Sequence, residues 1–154
     1  MFQSKLHRKQ TRSAFTLVEI LIVVVIMAIL AATIIPQFTD STKDAKASTG
    51  KFNLHTLRSQ IQLYRAHHEG NAPGNDLAEL MASTNSDGTI GTGASYPYGP
   101  YISEMPVNPF TNSATVKVIT NDPATAGDVT GTGGWLYNPT SGGIWLDHAE
   151  HYQD

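Results

Sequence analysis

Phe15-Thr16-Leu17-Val18-Glu19-Ile20-Leu21-Ile22-Val23-Val24-Val25-Ile26-Met27-Ala28-Ile29-Leu30-Ala31-Ala32-Thr33-Ile34-Ile35-Pro36 decides how the rest of the chain is read. Phe15 to Ile35 is about 21 residues, roughly 31 Å as a helix, which matches the hydrocarbon thickness of a bilayer. Glu19 is the one ionisable side chain inside that run. A charge near that depth costs on the order of 2.5 to 3.5 kcal/mol on insertion scales, so Glu19 marks a function and needs a partner.

The flanks set a topology. Lys5, Arg8, Lys9 and Arg12 precede the run and no acid does, so the positive-inside bias keeps the N-terminus in the cytoplasm and sends the remainder across the membrane. A secretory signal would carry its small-residue cleavage site after the apolar run. No such site stands just after Pro36, whereas Ser13 and Ala14 stand before the run.

Basic leader, small residue, Phe15-Thr16-Leu17, Glu19 and a long apolar helix together resemble the type IV pilin and type II secretion pseudopilin superfamily over the first quarter of the chain. The resemblance implies cleavage between Ala14 and Phe15 by a membrane aspartic prepilin peptidase, and N-methylation of Phe15. It also implies an assembly role for Phe15, Thr16, Glu19 and Pro36, with Glu19 meeting the Phe15 amine of a neighbouring subunit. Pairing a carboxylate with an amine in low dielectric recovers much of the burial penalty and fixes axial register. The chain departs from the family pattern at Ala14, where glycine is usual, and at Ala28, eight residues before Pro36.

The organisation expected is a leader 1–14, a transmembrane and assembly helix 15–36, an amphipathic continuation 37–69, a loop-rich region 70–114, and a small sheet with a tail 115–154. Beyond Pro36, Phe38, Ala45, Phe52, Leu57, Ile61 and Tyr64 fall near one stripe of a continuing helix that reaches about His68. Pro36 removes a donor to the carbonyl of Ala32, and Thr33 can bond backward, so a bend or local unwinding is expected there. Gly50 is a second weak point, costing about 1 kcal/mol relative to Ala.

Gly70 to Asn75 is a stop signal. Asp76 can then cap a short helix, Leu77 to Met81, with Glu79 closing a capping box. Residues 83–100 read as a surface loop pinned by Tyr96, Tyr98 and Tyr101. Strand candidates are Thr115 to Thr120, Gly134 to Asn138 and Gly143 to Asp147, the last two forming an antiparallel hairpin around Pro139-Thr140-Ser141-Gly142. The fold class is therefore α+β: one long N-terminal helix packed on a small antiparallel sheet, with the stripe from Phe52 to Tyr64 as its cover.

Removing the leader takes away four of the ten basic residues and none of the thirteen acids, so formal charge moves from −3 to −7. An acidic surface speaks against nucleic acid or anionic lipid headgroups as partners. The chain has no cysteine, so no disulfide closes a C-terminal loop.

Chain length, missing cysteines and a head with about three strands look most like the major pseudopilin of type II secretion. Met105-Pro106-Val107-Asn108-Pro109-Phe110-Thr111 lies where that family places an Asp-Pro-Trp-Gly-type segment, with Asn108, Phe110 and Thr111 as departures. The resemblance then implies a filament homopolymer. Its subunits wait in the inner membrane, head outward, until an assembly platform with a separate ATPase extracts them into a periplasmic or extracellular filament. A type IV pilus subunit for adhesion, motility or DNA uptake is the alternative. No cofactor is required, although major pseudopilins carry a calcium ion at the loops of the sheet. Here Asp122 and Asp128, with Asp147 or Glu150 completing the shell, offer oxygen ligands.

A membrane-anchored periplasmic hydrolase is the remaining class. His148-Ala149-Glu150-His151 and His67-His68-Glu69 contain metal-ligand types but lack the His-Glu-x-x-His order of a zinc peptidase. They read as solvated residues, with His148 and His151 in a fraying tail. No nucleophile elbow or phosphate loop is present, so no catalytic residue is assigned.

Overall fold

The computed structural model describes residues 15–154; the leader and Ala14 lie outside the described residues. Helix α1 spans Leu17–His67, within a residue or two of the expected bounds. It runs unbroken through Pro36, where unwinding was expected. Thr33 does bond backward, its Oγ1 donating to the carbonyl of Ile29 at 3.0 Å. Thr39 repeats this on Ile35 at 3.2 Å.

By its contacts the chain divides into 1–41 and 42–154. In the second unit, α1 buries Gly50, Leu54, Leu57, Ile61 and Tyr64, alternating steps of four and three that hold one face of a helix. Phe52 is not on that face and is 71% exposed. Five residues separate Phe52 from Leu57, about 500° of helical rotation, which places them some 140° apart. Leu54 takes the place that the sequence stripe gave to Phe52.

Three strands follow, β1 Val116–Val118, β2 Trp135–Asn138 and β3 Gly143–Leu146, in the order β1-β2-β3. The hairpin forms as expected, with Trp135 opposite Leu146 and Asn138 opposite Gly143. Its turn is closed by Asn138, whose Oδ1 accepts the amides of Thr140 and Ser141, and by Gly142 at φ +75°, donating to the Asn138 carbonyl at 2.8 Å. An Asx turn followed by a left-handed glycine is the local chemistry that reverses the chain. The sheet itself is mixed rather than antiparallel: β1 runs parallel to β2, Val116 beside Trp135. The long connection 119–134 makes this possible, because it returns the chain to the starting end of β1.

Alternation along β2 and β3 sends side chains to two faces, and both are buried. Trp135, Tyr137, Ile144 and Leu146 join Leu54, Leu57, Ile61 and Tyr64 of α1, with Leu77 and Leu80, in the main core. Leu136 and Trp145 point the other way, into a second cluster with Ile119, Ala124, Val129 and Tyr152. The loop after β1 and the C-terminal tail thus cover the second face of the sheet.

The tail is docked on α1 and on Phe110 instead of standing free in solvent. Arg58 of α1 donates to the carbonyls of Asp154 at 3.0 Å and Ile144 at 3.1 Å, and Lys51 meets the Asp154 carboxylate at 3.2 Å. His148 and His151 stack on Phe110, with ring centroids 4.2 and 4.5 Å away.

Between α1 and β1, Ala78–Leu80 is a single 3₁₀ turn in place of the expected helix. Leu77 sits at its start in a left-handed conformation, and Glu79 reaches back to the amide of Gly74 at 3.1 Å instead of closing a capping box. Asp76 still accepts an amide, from Ala78 at 3.2 Å. The tyrosine pins hold: Tyr101 packs edge-on against Tyr64 and Tyr98 stacks on His67. His68 is buried, bonded to the Tyr64 carbonyl at 2.7 Å and to Thr84 Oγ1 at 2.9 Å. His67 meets the Tyr101 hydroxyl at 2.9 Å but stays exposed, so of this pair only His68 is withdrawn from solvent.

Candidate functional site

The N-terminal stretch of α1 is apolar over its whole circumference and uncovered. Leu17 through Ile26 are branched aliphatics apart from Glu19, and the large side chains among them are at least half exposed. This is the one helix among the described residues long and apolar enough to cross a membrane. Surrounding aliphatic surface of this kind is stable against lipid or against other such helices, not against water.

Its first turn holds the residues singled out in the sequence. The hydroxyl of Thr16 accepts the Glu19 amide at 3.2 Å, and the Glu19 carboxylate accepts the Thr16 amide at 3.5 Å. This reciprocal pair is a capping box, which satisfies amides that the helix start leaves without partners. The Thr-x-x-Glu spacing at 16–19 carried that signal in the sequence, but the intramembrane charge of Glu19 overshadowed it. Phe15 stands just outside, exposed. Ala14 lies beyond the described residues.

Two of the three aspartates offered as calcium ligands, Asp128 and Asp147, are engaged by donors within the chain. Asp147 is buried and takes the amides of Thr130 at 2.6 Å, Gly131 at 2.9 Å and Gly133 at 2.8 Å, together with the Thr130 hydroxyl. Burial pushes its carboxyl upward, but these donors outweigh burial and hold it below the ordinary carboxylate value. Gly133 must be glycine for this approach, since a Cβ there would lie 2.7 Å from the Asp147 carboxylate. Asp128 accepts the Asn121 side-chain amide on both oxygens, and the Thr125 amide and hydroxyl. Those bonds, Asn121 foremost, likewise lower its carboxyl. Asp122 borders a shallow cleft with Arg58, Gln62 and Ser141.

Asp147 has both lone pairs of each oxygen engaged within the chain, whereas Asp128 Oδ1 accepts one bond only; a calcium ion would need such lone pairs. Asn108, in the segment before the sheet, is also a turn closer: buried, it donates to the Gly134 carbonyl at 2.9 Å and accepts the Phe110 amide at 2.9 Å. Thr111 donates to Gly133 at 2.7 Å. An amide at position 108 can do both, donating through nitrogen and accepting through oxygen.

Residues 9–35 match the prokaryotic N-terminal methylation motif. The chain is similar to type II secretion system core protein G of Pseudomonas aeruginosa, 34% identical over 58 residues, 38% of this chain and 41% of that protein. With core protein G of Aeromonas hydrophila it is 27% identical over 105 residues, 68% of this chain and 72% of the relative, a span too long to be confined to the apolar helix. A type IV major pilin protein of Neisseria gonorrhoeae is 34% identical over 76 residues, 49% of this chain and 46% of its own length. No solved structure matches. With a methylation motif at the start of an uncovered apolar helix and a small sheet packed on the helix's continuation, the chain is similar to type IV pilins and to type II secretion core protein G.

Proposed function

We propose that this protein is a structural subunit of a type IV pilus-like filament, and that the filament is the pseudopilus of a type II secretion system, in which the chain is the major subunit. The observation that carries the reading is the uncovered apolar stretch of α1 opening on Thr16 and Glu19. A group of this size exposed on all sides has a use in lipid before assembly and among identical helices after it, each buried CH2 contributing about 0.8 kcal/mol. Similarity to core protein G beyond the apolar helix supports the secretion branch.

In this reading a prepilin peptidase cuts between Ala14 and Phe15, and the new amine is methylated. The head faces the periplasm, and a platform with a separate ATPase lifts subunits from the inner membrane. Glu19 exchanges its Thr16 amide for the Phe15 amine of the neighbouring subunit, which makes it a register device. The work is mechanical and assigns no catalytic residue. A pilus subunit is the second reading, favoured by the similarity to the Neisseria pilin.

The test is the product of assembly. Filaments sheared from cells that express the protein should contain a chain beginning at N-methylated Phe15 by intact mass, and deletion should abolish export of proteins through the outer membrane. A mature chain that retains Met1, or that begins after the apolar run, sinks the processing scheme. Filaments with normal export in the deletion strain but lost attachment or movement would transfer the protein to the pilus branch.

A further inference from the structure

The C-terminal tail places two imidazoles and a carboxylate together at a site that the filament reading does not use. One ligand atom from each of His148, Glu150 and His151 lies within 4.8 Å of the other two. The rings have a defined arrangement. Both stack on Phe110, at 4.2 and 4.5 Å, yet their own centroids are only 5.1 Å apart. Rings on opposite faces of Phe110 would be separated by about 7 Å or more, twice the thickness of an aromatic contact. The two imidazoles therefore lie side by side on the same face of Phe110, tilted by 28°. In-plane lone pairs of neighbouring imidazoles in that arrangement can converge, as face-to-face rings cannot.

An outer partner is also built. His151 Nδ1 lies 2.9 Å from Asp154 Oδ2, and Lys51 holds the other oxygen of that carboxylate at 3.2 Å. A carboxylate accepting the Nδ1 proton leaves Nε2 as the bare nitrogen, the arrangement by which metal-ligating histidines are oriented. His148 Nδ1 takes the Glu150 amide at 3.3 Å, a long bond that ligation would replace. Glu150 is exposed, which gives its side chain room to swing inward.

We propose that His148, Glu150 and His151 bind one divalent transition-metal ion of the zinc and cobalt class. Imidazole nitrogen with one carboxylate suits these borderline ions, with nitrogen at about 2.0 to 2.1 Å, whereas calcium selects oxygen shells. Water completes the shell. The ion clasps the tail against Phe110 and, through Tyr152, holds the cover on the second face of the sheet. Its role is structural, and it is independent of whether the filament is a pseudopilus or a pilus.

The experiment uses the full chain in detergent micelles, without a histidine tag, stripped with chelator and titrated with cobalt(II) as a visible reporter, then with zinc as competitor. One equivalent should bind and give the intense ligand-field bands of a low-coordinate site, and zinc should displace it and raise the melting temperature. Asp154→Asn should weaken binding about 10- to 100-fold, by loss of the group that orients His151. Glu150→Gln and His151→Ala, which remove ligands, should weaken it at least as much, and His55→Gln, on the exposed side of α1, should change nothing. If His151→Ala loosens the tail, the exposed Glu150→Gln still decides the matter. Binding unaltered by Glu150→Gln and Asp154→Asn, binding abolished by His55→Gln, or no saturation below about 1 mM cobalt overturns the proposal.

Discussion

Residues 17–41 and 42–67 belong to the same helix, and the two stretches meet opposite conditions. The earlier stretch exposes every large aliphatic it has, from 82% at Leu17 to 45% at Ile34, while the later one seals Leu57 and Ile61 completely. Both follow the same helical backbone pattern, apart from the donor that Pro36 removes from the earlier one. What differs is where the apolar surface goes: the later stretch has a sheet to cover one face, and the earlier one must borrow its cover from lipid or from other copies. On the filament reading, stability of the head and competence to assemble are thus separable properties written on one element.

The strongest way to sharpen that separation is Glu19→Ala. Membrane insertion should hold or improve, because the helix becomes more apolar. Assembly should fall by roughly 100-fold or more, since the neighbour's amine is left as a stranded charge at about 3 to 5 kcal/mol. Sheared-filament yield against membrane level reads both quantities. Wild-type filament yield with normal processing would remove Glu19 from the assembly account.

Paired truncations break the comparison directly. Leu57→Ala should cost the head about 2 to 5 kcal/mol, by lost transfer and a residual cavity. Leu30→Ala, an equal deletion in the uncovered stretch, should leave the head's melting transition where it was. Near-ultraviolet circular dichroism, which follows Trp135 and Trp145, can monitor the full chain in detergent. Equal shifts from the two variants would mean that the stretches are not energetically separate.

A smaller effect is expected at Asp147. Asp147→Asn keeps the shape but loses charge and acceptors toward Thr130, Gly131 and Gly133, at about 1 to 3 kcal/mol. Because the folded carboxyl is lowered, its contribution is complete above the ordinary carboxylate value near 3.9 and is lost as pH falls through the folded value. The melting temperature of the wild type should therefore drop more steeply below about pH 4 than that of the variant. Parallel curves would show that other carboxylates dominate acid unfolding.

Gly50→Ala is the finest test. Helix propensity alone favours Ala by about 1 kcal/mol. The added Cβ would sit 3.3 Å from Leu146 and 3.4 Å from Phe110, however, so a net change of less than about 1 kcal/mol is expected. A full gain of stability would mean that the loop carrying Phe110 yields freely.

How much of this was legible follows from the range of each cause. The apolar run, the helix bounds and the hairpin around Gly142 are specified by neighbours in sequence, and the sequence alone makes them legible. The parallel pairing of β1 depends on how 119–134 crosses the sheet, which no local pattern encodes. Burial of Trp145 against Ile119 and Tyr152 was hidden for the same reason: alternation shows that a strand has two faces, not that both are covered. His68 and the tail histidines looked like solvent-facing groups because composition says nothing about Thr84 or Phe110 waiting to receive them. At the candidate assembly site, the motif announced Phe15, Thr16 and Glu19, but the resting bond between Thr16 and Glu19 needed coordinates.

That resting bond changes what joining a filament would mean. A carboxylate already engaged by the first turn of its own helix is not a bare ion waiting for rescue. On the filament reading, the electrostatic part of docking is a trade of one partner for another that contributes only the difference between the two, while burial of the aliphatic stretch supplies the rest. That electrostatic exchange runs in either direction with modest bias, so on the same reading a subunit leaving the filament has its own Thr16 amide for Glu19 to return to.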